Sequence, residues 1–196
     1  MIEGQMHDIE RKLVFETVKE CKPKCAVECG TWRGGGSTLF AALAIHENDI
    51  EGAMLHTAES EIAHMAVAYH SWRSEVPGLM KWVRFYWMDF IEMLDIHKIT
   101  DIDFAVLDGP EDADYTVRAV QAIEPLLKSG APVIFHDAKT LKCAKIRPYM
   151  ADHPKWGDGG DWLDTETGMA RVWWDKPEVE WPVKIDEDAT DANRDQ

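Results

Sequence analysis

Five short apolar runs in this chain end on residues that can do chemistry. The run 25–30 ends at Gly30 and Thr31, and 53–58 ends at Glu59 with Ser60 behind it. The run 83–88 leads to Asp89 and Phe90, 103–108 ends at Asp108, and 132–135 ends at His136-Asp137. A carboxylate at the end of the second strand, 20–30 residues or so after a glycine turn, can accept hydrogen bonds from both ribose hydroxyls of a nucleoside. Glu59 has that place. Asp89 can accept from an adenine amino group with Phe90 alongside the ring, or cap the short helix 90–94, or do both. Asp108 and Asp137 offer the oxygens that Mg2+ favours. His136, with an ordinary pKa near 6.5, is a candidate proton acceptor; its plainer reading is a strand-end histidine bonded to backbone.

The stretch Ala26-Val-Glu-Cys-Gly-Thr-Trp-Arg-Gly-Gly-Gly-Ser-Thr38 anchors this set. A strand runs into a glycine-rich turn, and Ser37 and Thr38 open an apolar helix. Glycines let the backbone turn sharply and come close to a ligand, and the helix behind them presents free N–H groups. The pattern from Gly30 is G-x-x-x-G-G-G, which is neither a dinucleotide fingerprint nor a P-loop. Glu28 lies inside the strand, two residues before Gly30. An acid there repels a pyrophosphate and suits a ligand with an ammonium group, such as S-adenosylmethionine.

The elements that must position these residues alternate. Helix 9–20, with Ile9, Leu13, Val14 and Val18 inward and Asp8 as N-cap, precedes the first strand. Helix 37–46 follows it. Helix 62–72, with Ile62, Met65, Ala66 and Tyr69, follows the second strand, and helix 90–94 the third. Helix 115–127 ends at Gly130, and helix 139–150 follows the fifth strand. Segment 168–174 reads as a late strand, with 161–164 as its hairpin partner. Regular β–α alternation implies a parallel sheet with helices on both faces, and ligands then bind at the carboxyl ends of the strands near the switch in strand order.

Length and composition bound the rest. A chain of 196 residues suits one domain, expected over 1–184, with an acidic and disordered tail at 185–196. The net charge of −15 argues against a nucleic-acid partner, which needs a basic footprint. No apolar run reaches the roughly 20 residues of a membrane span, and Met1–Asp8 shows no secretory signal. The expectation is a cytoplasmic protein with reduced thiols, acting on a small molecule, with a homodimer as a candidate assembly. Of the four cysteines, Cys25 and Cys29 alternate along one strand and read as small buried side chains rather than cluster ligands.

Glu28-Cys-Gly-Thr-Trp-Arg-Gly-Gly35 resembles motif I (E-x-G-x-x-x-G) of the class I S-adenosylmethionine-dependent methyltransferases. Ile102-Asp-Phe-Ala-Val-Leu-Asp-Gly109, Tyr115, Pro125-Leu-Leu-Lys-Ser-Gly130 and Val133-Ile-Phe-His-Asp137 resemble the small-molecule O-methyltransferase branch. That branch holds macrolide-sugar and cephalosporin-type enzymes, and the catechol-type enzymes are more distant. The resemblance covers about 13–150. It implies a Rossmann-like, doubly wound, mostly parallel seven-stranded sheet with the last strand antiparallel. It also implies that Glu28, Gly30, Thr31, Gly34, Gly35, Glu59, Ser60, Asp89, Phe90 and Asp108 bind the methyl donor.

Two departures stand out. Glu111, in Asp108-Gly-Pro-Glu111, stands where the branch commonly has His. Metal-dependent relatives carry two adjacent polar ligands after strand five, here His136-Asp137 or Asp137-Ala138. The expectation is methyl transfer to a hydroxyl, with His136, Asp137 and Asp108 catalytic and Asp108 and Asp137 as ligands of an optional Mg2+. The alternatives are a cofactor-binding domain without catalysis, a nicotinamide-dependent oxidoreductase, and a metal-dependent hydrolase built on Asp108, Asp137 and His136. Trp156 and Trp162 could wall an acceptor pocket for a sugar or aromatic molecule.

Overall fold

A computed structural model of the chain describes residues 2–151, 153–156 and 160–175. The expected tail at 185–196 and the domain limit at 184 lie outside them. The elements run α1 (Asp8–Cys21), β1 (Cys25–Cys29), α2 (Ser37–Asn48), β2 (Met54–Glu59), α3 (Ile62–Glu75), β3 (Val83–Trp87) and α4 (Phe90–Ile96). They continue with β4 (Phe104–Leu107), α5 (Ala113–Ile123), β5 (Pro132–His136), α6 (Ile146–Ala151), β6 (Asp161–Leu163) and β7 (Met169–Trp173). The sheet has seven strands in the order β3-β2-β1-β4-β5-β7-β6. The first five are parallel to one another, and β7 runs antiparallel to both β5 and β6. The chain order reverses between β1 and β4, which is where an open α/β sheet opens a crevice.

The central strands are buried on both faces, as a parallel sheet requires. Val27, Cys29, Ala105, Leu107, Val133 and Phe135 face Phe90, Met93, Val120 and Ile123 of α4 and α5. Ala26, Phe104, Val106 and Ile134 face Leu13, Val14, Ala41 and Ile45 of α1 and α2. Among the described residues, no helix is long and apolar enough to cross a membrane. Cys21, Cys25, Cys29 and Cys143 are free thiols.

Four local expectations shift, each for a physical reason. Helix α1 begins at Asp8 with His7 as its N-cap, because the Glu10 carboxylate reaches back to the His7 N–H at 2.9 Å. The buried stripe of α3 is Met65, Ala68 and Trp72, with Ile62 and Tyr69 exposed; the Trp72 indole donates to the Gly34 carbonyl at 3.0 Å and sets that rotation. Helix α5 begins at Ala113, capped by Asp112, and tightens to a 3-10 turn at Glu124–Leu126, where Pro125 has no N–H to continue it. The expected helix 139–150 is a 3-10 turn, Leu141–Cys143, followed by α6. Ala138 and Lys139 donate their N–H groups to Gly168 and Thr167 (2.9 Å each), so these residues are pinned to the loop before β7 and cannot open a helix.

Candidate active site

Gly30 lies at the seam of the sheet. Its φ is +91°, and a Cβ there would come 2.0 Å from the Asp108 carbonyl oxygen. Only glycine lets the β1 turn pass this close to the end of β4. A cleft of about 400 Å3 lies over this seam. Glu59, Ser60, Asp89 and Phe90 line one end of it, and Asp108, Asp137 and Lys142 line the other, with Gly30 between.

At the first end, acids are oriented by backbone. Glu59 accepts from the Trp32 N–H at 2.8 Å and the Glu61 N–H at 2.9 Å. Asp89 caps α4 through the N–H groups of Ile91 (2.8 Å) and Glu92 (3.2 Å). Its second oxygen accepts from the Tyr115 hydroxyl at 2.7 Å. Burial, together with the neighbouring Cys29 and Asp89, pushes the Tyr115 phenol well above its usual range, so it stays a donor.

The glycine turn itself is packed from behind. Glu28 is fully buried, and its carboxylate accepts from Thr38 at 2.7 Å and Thr57 at 2.5 Å. Burial pushes its carboxyl up to about 7, against the hydrogen bonds from Ser37, Thr57 and Thr38. Thr31, also buried, shares a hydroxyl contact with Thr57. Gly35 donates to the Glu3 carbonyl at 2.9 Å, and a Cβ on Gly35 would come 2.3 Å from that oxygen. The chain before α1 therefore lies across the turn, held also by an Arg33–Glu3 ion pair. Glu28, Thr31, Gly34 and Gly35 support the turn and do not line the cleft, whereas Gly30, Glu59, Ser60, Asp89, Phe90 and Asp108 do.

At the second end, acids are oriented by charged side chains. The Lys142 ammonium lies 2.6 Å from Asp108 Oδ1 and 2.6 Å from Asp137 Oδ2, with its side chain 3% exposed. His136 Nδ1 lies 3.2 Å from Asp108 Oδ1 and 3.3 Å from Asp137 Oδ1. Its other ring nitrogen, Nε2, lies 3.3 Å from the carboxylate of Glu10, which is fully buried on α1. Thr165 also donates to Glu10. Burial opposes the imidazolium, but Asp108, Asp137 and Glu10 override it and raise His136 to about 11. Burial likewise opposes the charges on Asp137 and Lys142. Their mutual pairing, with His136, holds the Asp137 carboxyl well below the carboxylate range and raises Lys142. His136 therefore carries its proton at neutral pH, which its ordinary pKa does not anticipate.

Asp108, His136 and Asp137, named from strand ends, do converge, with one ligand atom of each within 4.8 Å of the others. Two members of the cluster escaped sequence reasoning. Lys142 lies past the strand end, in a segment that reads as helix surface. Glu10 reads as a solvated residue beside an apolar stripe, although Leu13, Val14 and Val18 put it on their face. Trp156 and Trp162 both line a second cavity, of about 560 Å3, by β5, β7 and α6. Trp156 is buried, donates to Glu124 at 2.8 Å and meets Trp174 edge-on; Trp162 is exposed, with Arg147 over its ring.

A family model for a methyltransferase domain matches residues 27–138. That is more than half of the chain, and the chain belongs to this family. No curated protein matches the sequence. Among solved structures, cofactor-bound Rv0187 from MTB superposes with a TM-score of 0.74 at 16% identity, covering 88% of this chain and 83% of that one. An O-methyltransferase from Bacillus cereus in complex with SAH gives 0.69 at 17%, covering 87% and 82%. The O-methyltransferase TomG from Streptomyces achromogenes, involved in tomaymycin synthesis and in complex with SAM, gives 0.69 at 16%, covering 87% and 81%. The architecture is thus the Rossmann-like methyltransferase fold, with its antiparallel β7 where the sequence led one to expect it.

Proposed function

We propose that this methyltransferase domain transfers the methyl group of S-adenosylmethionine to a hydroxyl of a small molecule in the cytoplasm. One observation carries the reading: a single cleft over the β1–β4 seam joins Glu59 and Asp89 at one end to Asp108 and Asp137 at the other. Glu59 would accept from the ribose hydroxyls and Asp89 from the adenine amino group, with Phe90 beside the ring, and Gly30 and Asp108 would hold the methionine end of the methyl donor. The B. cereus enzyme and TomG, which share this fold, were solved with SAH and SAM, which supports the choice of methyl donor. The net charge of −15 favours a small acceptor over nucleic acid.

The reaction forms a C–O bond and breaks the S–CH3 bond, so it depends mainly on holding the acceptor oxygen in line with the methyl. The acceptor proton has to leave as that bond forms. Both ring nitrogens of His136 face carboxylates and the residue is buried, so neither nitrogen takes it. The proton goes to Asp108, the more open carboxylate of the pair, while Asp137, held well below the carboxylate range, stays ionised and keeps His136 and Lys142 in place. Ala138 and Lys139, next to Asp137, also line the second cavity, which gives the acceptor's carbon frame an apolar recess beside the charged cluster.

Calorimetric titration with S-adenosylhomocysteine, with NAD as the comparison, tests the first half. Micromolar binding of the former and none of NAD is the expected result; no binding of S-adenosylhomocysteine overturns the reading. Transfer of labelled methyl to a panel of phenols and sugars tests the second half.

A further inference from the structure

We infer that the ammonium of Lys142 occupies the place that a divalent cation would take between Asp108 and Asp137, so the site works without a metal ion and Lys142 positions the acceptor oxygen in its stead. The inference rests on the methyl-transfer reading only for the acceptor.

The geometry is that of an ion site with a lysine in it. Two carboxylates from adjacent strand ends converge on one point, and Lys142 Nζ is at that point, 2.6 Å from an oxygen of each. Mg2+ requires oxygens at about 2.0–2.1 Å and several waters around it. It could enter only if the lysine left. The lysine is not free to leave easily. Its side chain is 3% exposed, and it springs from the 3-10 turn Leu141–Cys143, whose Cys143 side chain is itself buried. Charge argues in the same direction. The carboxylates of Asp108 and Asp137 already face the Lys142 ammonium. A further double charge within a few ångströms of that ammonium would be repelled by it. A divalent ion therefore does not fit the residues present.

An ammonium has three N–H donors. Two point to Asp108 and Asp137, and the third has the Gly109 carbonyl at 3.4 Å and the Glu111 carboxylate at 3.8 Å, both long contacts. Lys142 lines the cleft, so this third donor can turn to an acceptor oxygen and hold it as a metal ion would, without a Lewis acid.

Mn2+ binding followed by electron paramagnetic resonance tests this, with neither cofactor nor acceptor present, so the result does not depend on the methyl-transfer reading. Wild-type protein should leave the signal of free Mn2+ undiminished. Lys142→Ala should create a site, at least about 10-fold tighter than any in the wild type, which Asp137→Asn in the same background removes. If the alanine variant does not fold, Lys142→Gln, of similar length and uncharged, takes its place. In a transfer assay, Mn2+ should restore part of the turnover that Lys142→Ala loses, a rescue that a purely structural lysine would not allow. Stoichiometric Mn2+ binding by the wild type that Asp137→Asn abolishes overturns the inference. So does a folded Lys142 variant that gains no site.

Discussion

The two ends of the cleft hold their acids in opposite ways. On the β2–β3 side, Glu59 and Asp89 are oriented by backbone N–H groups and, for Asp89, the neutral Tyr115 hydroxyl, which carry no charge to lose. On the β4–β5 side, Asp108 and Asp137 are oriented by the charged side chains of His136 and Lys142. A backbone-held acid keeps its direction at any pH where it is ionised, and its own loss disturbs little beyond the local turn. An acid in a buried ion cluster depends on every other member, since removing one leaves the others uncompensated. The first arrangement suits recognition of a fixed nucleoside. The second suits a place where charge must be balanced as a proton moves.

The largest effect is expected at the seam that joins the two ends. Gly30→Val puts a branched side chain at φ +91° and against the Asp108 carbonyl. It should cost at least about 4 kcal/mol and leave little folded protein, as read by urea denaturation. His136→Ala should cost about 3 kcal/mol, because Glu10 is left buried with the His7 N–H and Thr165 hydroxyl as donors but without a counter-charge. The same histidine gives the comparison a pH test. Its pKa rises from 6.5 to about 11 on folding, so the folded state binds its proton more tightly. That stabilisation is complete below pH 6.5 and is lost as pH rises through about 11. Stability of the wild type should fall over that window, and His136→Gln should lack this component.

Smaller effects are expected on the backbone-held side. Glu59→Gln should fold normally and bind S-adenosylhomocysteine about 10-fold more weakly, since a charge-assisted pair of bonds becomes a neutral one. Binding lowered much less than this would move the ribose away from Glu59. Least of all, Glu111→Ala should change stability by less than about 0.5 kcal/mol, because Glu111 is mostly exposed and 3.8 Å from Lys142. A large loss of stability there would extend the buried cluster outward and blur the contrast.

Much of this was legible in the chain itself. Alternating apolar runs and amphipathic stretches fix a parallel sheet, since a strand buried on both faces must be apolar throughout and a crossover helix must be apolar on one side. In such a sheet the residues just past the strands face one edge, so Glu59, Asp89, Asp108, His136 and Asp137 could be named before any fold was drawn. The strand ends do not show what packs behind the glycine turn: the hydroxyls of Thr38 and Thr57 meet Glu28 from α2 and β2, and the chain near Glu3 crosses Gly35.

The sequence by itself determined the alternation of elements and which acids stand at the strand ends, because these follow from local periodicity and from glycine at one strand end; the seam between β1 and β4 came with the strand order. Only the tertiary structure decided what those acids face. Glu10 meets His136 across 126 positions, and Lys142 reaches Asp108 across 34. Such pairings carry no periodic signal, because a buried charge is tolerated only through partners that the fold supplies, and the side chain alone reads as one bound for solvent.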